Sequence, residues 1–186
     1  MFEIRFFPLE RSVLVWAFLV VASGCSGPFD RLQEDYGVSG SVRGDELHSA
    51  NIEIVERGRK GVTRIGDSIS LFVESDALTL KDDFRFVPGG GNVRIPASAV
   101  EACSTICFDG ARKNVSLILA GMDMEVAIAD NGRLGEWCWN NHIHAISSSN
   151  RRRWLYGKSS LVEGTSGGPM TREDFERTMD FACKGY

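Results

Sequence analysis

No apolar run in the chain reaches the roughly 20 residues that a membrane-spanning helix needs. The longest, Val13 to Ala22 (VLVWAFLVVA), has ten. No charge sign dominates: 21 Lys and Arg stand against 25 Asp and Glu, a formal charge of −4. That balance argues against a dedicated nucleic-acid binder, whose domains usually run basic. No repeat is long enough for a solenoid, and no pair of carboxylates stands out as a glycosidase acid and nucleophile. Gly58 and Gly61 are too few and wrongly spaced for a phosphate-binding loop. What is present is ordinary globular material, 43% hydrophobic and 25% charged over 186 positions. It excludes a collagen-like, coiled-coil or wholly disordered chain and favours one domain.

The ten-residue run follows a segment that carries Arg5 and Arg11, with Glu3 and Glu10 offsetting them, and it ends in Ala22-Ser23-Gly24-Cys25. A short apolar core closed by small residues is the pattern of a cleaved secretory signal rather than an anchor. Small residues directly before a cysteine resemble the lipobox of bacterial lipoprotein precursors, with Ala22 where that family more often has Leu. The resemblance implies diacylglycerol on the Cys25 thiol, cleavage before Cys25, and an acyl chain such as palmitate on the new amino terminus. An ordinary secretory signal would be cut at the same bond. Ser26, by the same resemblance, points to the outer membrane. The expected location is therefore the bacterial cell envelope, on the outer membrane facing the periplasm, with the inner membrane and the cell surface left open. Two acyl chains anchor a protein stably, so the membrane is one expected partner.

Cysteine parity agrees with this reading. A secreted chain with an odd cysteine has a free thiol to explain. With Cys25 lipidated, Cys103, Cys107, Cys138 and Cys183 remain. Four can pair completely, and two disulfides suit an oxidising compartment. Three connectivities are open. The expected one joins Cys138 to Cys183, stapling a C-terminal helix to the body, and Cys103 to Cys107 across a short loop.

The chain divides into a signal peptide (1–24), a lipidated cysteine with a flexible tether (25–50), and a single globular domain (51–186). Residues 26–46 are rich in Ser, Gly and charge, the composition of a linker. From residue 51 short apolar runs alternate with turn residues. Strands are expected at Ile52–Glu56, Ser68–Glu74, Ala77–Leu80, Phe84–Val87, Asn92–Ile95, Val115–Ala120, Met124–Ala129, His142–Ile146 and Arg152–Tyr156. Thr171-Arg172-Glu173-Asp174 after Pro169 reads as a capping box. Phe175, Met179 and Ala182 then fall on one helix face. The fold class is mostly β (α+β), an antiparallel sheet or small barrel with a C-terminal helix and two disulfides. Strands followed by one helix, and the stretch Ser68–Val87 leading into Val93–Val100, faintly resemble pleckstrin-homology-like barrels.

Three strings could carry chemistry. Gly164-Thr165-Ser166-Gly167-Gly168-Pro169 resembles the nucleophile loop of chymotrypsin-like proteases, which implies Ser166 as nucleophile. The Ala-Ala-His-Cys context in which that family carries its upstream histidine is missing: His48 sits at the edge of the tether, and His142 and His144 lie only 24 and 22 residues before Ser166. The bland reading is a glycine-rich loop before a capped helix. His142 and His144, on a strand, would share a face and could contribute to a zinc site, which would need a third ligand such as Glu136 or Asp130 and an open position. Asn150 to Lys158 is the most basic stretch, with Trp154 and Tyr156 interleaved among Arg151, Arg152 and Arg153. Arginine outnumbers lysine 16 to 5 in the chain, and arginine with aromatics is the residue mix of interface hot spots. Arg151, Arg152, Arg153, Trp154 and Tyr156 are therefore the candidate binding surface, for anionic headgroups or an acidic protein. The alternative is a solvated hairpin edge. A second basic cluster, Arg57, Arg59, Lys60 and Arg64, reads as a solvated turn.

The function expected from these residues is a non-enzymatic binding module on the membrane, of inhibitor, immunity or envelope-assembly type. It would have an envelope protein as partner, no nucleic acid, no metal and no cofactor. The competing expectation is a small envelope hydrolase using Ser166 or a His142/His144 metal site.

Overall fold

The structure is a computed structural model that describes residues 27–47, 51–59, 61–65, 69–82, 91–108, 112–129, 132–158 and 170–181. In chain order these form α1 (Pro28–Tyr36), β1 (Gly37–Val38), β2 (Asp45–Leu47), β3 (Ile52–Glu56), β4 (Val62–Ile65), β5 (Ile69–Val73), β6 (Ala77–Asp82) and β7 (Asn92–Pro96). A 3₁₀ turn (Ala97–Ala99) leads into β8 (Val100–Phe108), β9 (Arg112–Leu119), β10 (Met124–Ala129), α2 (Arg133–Asn140), β11 (His144–Ala145), α3 (Ser148–Leu155) and α4 (Arg172–Phe181). The mostly-β class and the C-terminal helix follow the sequence reading.

Two sheets carry the fold. One has the order β1-β7-β6-β5-β2, the other β11-β8-β9-β10-β3-β4. Every pairing is antiparallel except the short parallel contact of β11 with β8. Alternation along each strand sends one set of side chains inward. Leu71, Leu78, Leu80, Val93 and Ile95 of the first sheet meet Ile54, Leu117, Leu119, Met124, Val126 and Ile128 of the second in one continuous core.

Strand β8 contains an irregularity that matters for the site. Its register against β9 shifts between Val100 and Ala102. The extra residue turns the strand over, so Val100 packs into the main core while Ala102 faces the other way. Ala102, Ile118, Ile146 and Trp154 make a second, smaller cluster there, beneath α3.

Three expectations are corrected. Residues 28–47 belong to the body instead of forming a flexible tether. Pro28 opens α1, the Gly27 amide donates to the Asp30 carboxylate at 2.7 Å, and Phe29 and Leu32 are buried in the core. Two apolar anchors one turn apart outweigh the polar average of the segment. Arg152–Tyr156 is helical, not a strand. Ser147 caps α3 by accepting from the Asn150 amide. Arg151, Trp154 and Leu155 then lie at the i, i+3, i+4 spacing of one helix face. The cysteine pairing differs as well: the disulfide joins Cys103 on β8 to Cys138 on α2, which replaces both Cys103–Cys107 and Cys138–Cys183. The sequence did not reveal α2, whose Leu134, Trp137 and Cys138 are all buried. Cys107 is not free either. The expected strand Phe84–Val87, and Cys25, Ser166 and Cys183, lie outside the described residues.

Candidate functional site

The basic stretch comes apart once it is wound into α3. Arg151 points down onto the outer face of the second sheet. Its guanidinium pairs with the fully buried Glu125 of β10, and its Nε donates to Ser116 Oγ of β9 at 3.3 Å. Trp154 is 4% exposed and fills the small cluster under the helix. These two of the five candidate residues therefore hold the helix down. Arg152, Arg153 and Tyr156 face solvent, and Tyr156 is 67% exposed, an unusual figure for an aromatic of its size.

The helix ends in a Schellman arrangement. Gly157, at φ +69°, donates to the Trp154 carbonyl at 2.8 Å, and the Lys158 amide donates to the Arg153 carbonyl at 2.8 Å. That geometry turns Tyr156 and Lys158 outward at the same end as Arg152 and Arg153.

The second basic cluster joins the first here. The turn after β3 docks on the end of α3. Arg57 Nε donates to the Trp154 carbonyl at 3.0 Å, the Gly58 amide donates to the Leu155 carbonyl at 2.8 Å, and the Arg57 guanidinium lies 5.5 Å over the Trp154 ring. Arg57 also pairs with Asp123 at 3.1 Å. One residue back, the buried Glu56 carboxylate is shared by Arg31 of α1 at 2.6 Å and Arg59 at 2.5 Å. Arg31 also reaches the Met122 carbonyl at 3.4 Å. So α1, the β3–β4 turn, the β9–β10 turn and the end of α3 form one basic corner. Arg64 stands apart, on Glu53 at 2.8 Å.

The histidines do not come together as the sequence reading placed them. His142 occupies the turn after α2 at φ +56°, and β11 covers only His144–Ala145, so the two do not share a strand face. Both are exposed, and among the described residues no group of three or more His, Cys, Asp or Glu could hold a metal. Trp137 and Trp139 serve packing. The Trp137 indole N–H donates to the Glu74 carbonyl at 2.9 Å, and Trp139 lies 5.5 Å from Phe175 of α4.

The first sheet carries a second polar feature that the sequence did not signal. β1 and β2 are its two edges, so residues 39–44 must cross β7, β6 and β5. Four strand spacings are about 19 Å, and seven residue steps reach about 24 Å. The segment therefore crosses as a nearly extended strap. A cavity of about 150 Å³ lies beneath it, floored by Glu74, Thr79 and Arg94. Arg94 binds Glu74 through both Nε and NH2, at 3.3 and 3.0 Å, and Thr79 donates to Glu74 at 2.8 Å. These contacts, the Arg94 hydrogen bond first, hold the Glu74 carboxyl below its ordinary value. Both charges of the floor are thus already paired.

No protein-family model matches the chain, and no curated protein matches it.

Proposed function

We propose that the chain is a lipid-anchored protein of the bacterial cell envelope that acts by binding rather than by catalysis, with the basic corner around α3 as its contact surface for an anionic partner. The observation that carries the reading is Ala22-Ser23-Gly24-Cys25 behind a ten-residue apolar run. The Cys103–Cys138 disulfide supports it, since structural disulfides belong to oxidising compartments such as the periplasm. Cys25 is then the odd cysteine that needs a different fate.

The remaining two cysteines suit a second disulfide, Cys107 with Cys183. The Thr105 hydroxyl donates to Met179 Sδ at 3.7 Å, between β8 and α4. Cys107 is two residues beyond Thr105 on the same strand face, and Cys183 follows Met179 by four positions in the sequence.

Within the basic corner, Arg152, Arg153 and Lys158 have no acidic partner among the described residues. Such cations, beside an exposed tyrosine, suit a negatively charged surface better than an apolar groove. The test is mass spectrometry of the protein extracted from its own membranes. The expected result is an N-terminal peptide that begins at Cys25 and carries a thioether-linked diacylglyceryl group and an amide-linked acyl chain. A mature peptide that begins at an unmodified Cys25, or an uncut chain with a free Cys25 thiol, overturns the reading.

A further inference from the structure

Folding of residues 28–47 into the body changes what an anchor at Cys25 would do. Gly27 is the first described residue, and its carbonyl accepts from the Arg31 amide at 3.3 Å. Arg31 in turn touches Glu56 and the Met122 carbonyl. Only two residue steps separate Cys25 from Gly27, at most about 7 Å of chain. A lipid on Cys25 would therefore hold the bilayer surface against the end of the molecule where α1 begins, and that end is the basic corner.

We propose that this corner is a membrane-docking face, which lays the body on an anionic leaflet in one fixed orientation. The proposal rests on the lipoprotein reading above and adds the partner: phospholipid headgroups that carry net negative charge. The corner holds six cations, Arg31, Arg57, Arg59, Arg152, Arg153 and Lys158, against five carboxylates, Asp30, Glu34 and Asp35 of α1 with Glu56 and Asp123. The corner is thus net positive on a chain that is net negative. Arg31, Arg57 and Arg59 are committed to Glu56 and Asp123, which leaves Arg152, Arg153 and Lys158 to meet phosphates. Tyr156, 67% exposed in their midst, has the amphipathic ring that settles at headgroup level. An acidic protein would also attract three cations. The nearness of the tether favours the leaflet, because the anchor delivers this face to the bilayer whatever else is present.

The test uses the mature lipidated protein in vesicles of phosphatidylcholine alone, or of phosphatidylcholine mixed with phosphatidylglycerol. Hydroxyl-radical footprinting reads the oxidation of Tyr156, with Met170 before α4 as reference, and the same digest reports whether Cys25 is acylated. Tyr156 is expected to be protected in the anionic vesicles, exposed in the zwitterionic ones, and exposed again at high salt, where charges beyond a few ångströms are screened. Substituting Arg152, Arg153 and Lys158 together by Gln should lower the docked-to-free ratio about a hundredfold, the worth of three basic groups at an anionic surface. All three are exposed, and an unchanged denaturation midpoint checks that the variant is folded. An acylated Cys25 with Tyr156 equally oxidised in both vesicles overturns the orientation and leaves the lipoprotein reading intact. Protection in native envelopes but in neither vesicle assigns the face to a protein and overturns it too. An unacylated Cys25 removes the lipoprotein reading, and the short tether with it.

Discussion

Arg151 and Arg152 are neighbours in sequence with the same side chain, yet the structure gives them opposite consequences. Arg151 is 11% exposed and its partner Glu125 is not exposed at all. Replacing Arg151 by Met leaves a carboxylate in the sheet–helix interface without its counter-charge, and Ser116 loses its donor. Breaking a buried pair from one side costs about 3–5 kcal/mol. With a urea dependence of about 2 kcal/mol per molar, the midpoint should fall by about 2 M. Arg152→Met and Arg153→Met, on solvent-facing positions, should stay within about 0.5 kcal/mol of the parent.

The decisive arm is the second substitution. Glu125 Oε2 is buried without a hydrogen-bond partner, so the pair is only partly satisfied, and an apolar replacement of both members is often neutral or stabilising. Glu125→Leu added to Arg151→Met should therefore recover most of the loss. Urea unfolding followed by tryptophan fluorescence suffices, since Trp154 lies beneath the same helix. The reasoning is refuted if Arg151→Met costs no more than Arg152→Met, or if Glu125→Leu deepens the loss. The outcome also governs how binding experiments are designed. A block change of residues 151–153 would confuse an unfolded corner with a lost contact, and only Arg152, Arg153 and Lys158 probe the surface.

Leu32→Ala should cost about 2–5 kcal/mol, as large-to-small changes in a core do, which denaturant melts can read; a neutral result would return residues 28–36 to the status of a linker. Gly44→Ala should cost about 1–3 kcal/mol, because Gly44 sits at φ +108° and an added Cβ would meet the Val73 carbonyl oxygen at 2.7 Å. Glu74 has a depressed folded pKa, so its contribution is present above the ordinary carboxylate value of 4.5 and is lost as pH falls below it; Glu74→Gln should lower stability at neutral pH and flatten that part of the melting temperature's acid limb. Replacing Cys103 and Cys138 by Ala removes a cross-link over 35 residues, about 4 kcal/mol in the chain-entropy model, and equilibrium unfolding of the double variant should show a loss of that order.

What was legible in the sequence was the part written in one periodicity. Ile52–Glu56 and Met124–Ala129 came out with the bounds the structure has. α4 was readable because Thr171 caps it, accepting from the Asp174 amide at 3.2 Å, and because Phe175 and Met179 repeat at one helical turn. The failures share a cause: short segments whose burial is decided by a neighbour far along the chain. In α1 two apolar residues suffice because β7 and β3 already offer a surface. In α3 the sequence Arg-Arg-Arg-Trp-Leu-Tyr alternates poorly and winds well, but only the Glu125 carboxylate under its first arginine explains why a charge faces inward. Glu125 itself interrupts an apolar strand, Met124 to Ala129, and a carboxylate in such a run is a signal that a cation must come from elsewhere. The same logic unites the two basic clusters. Nothing local links Arg57 to Arg153, which lie 96 residues apart, yet at the end of α3 the Leu155 carbonyl accepts from the Gly58 amide and the Trp154 carbonyl takes Arg57 as a second donor beside Gly157. A helix end that needs donors and a turn that supplies them made one surface out of two.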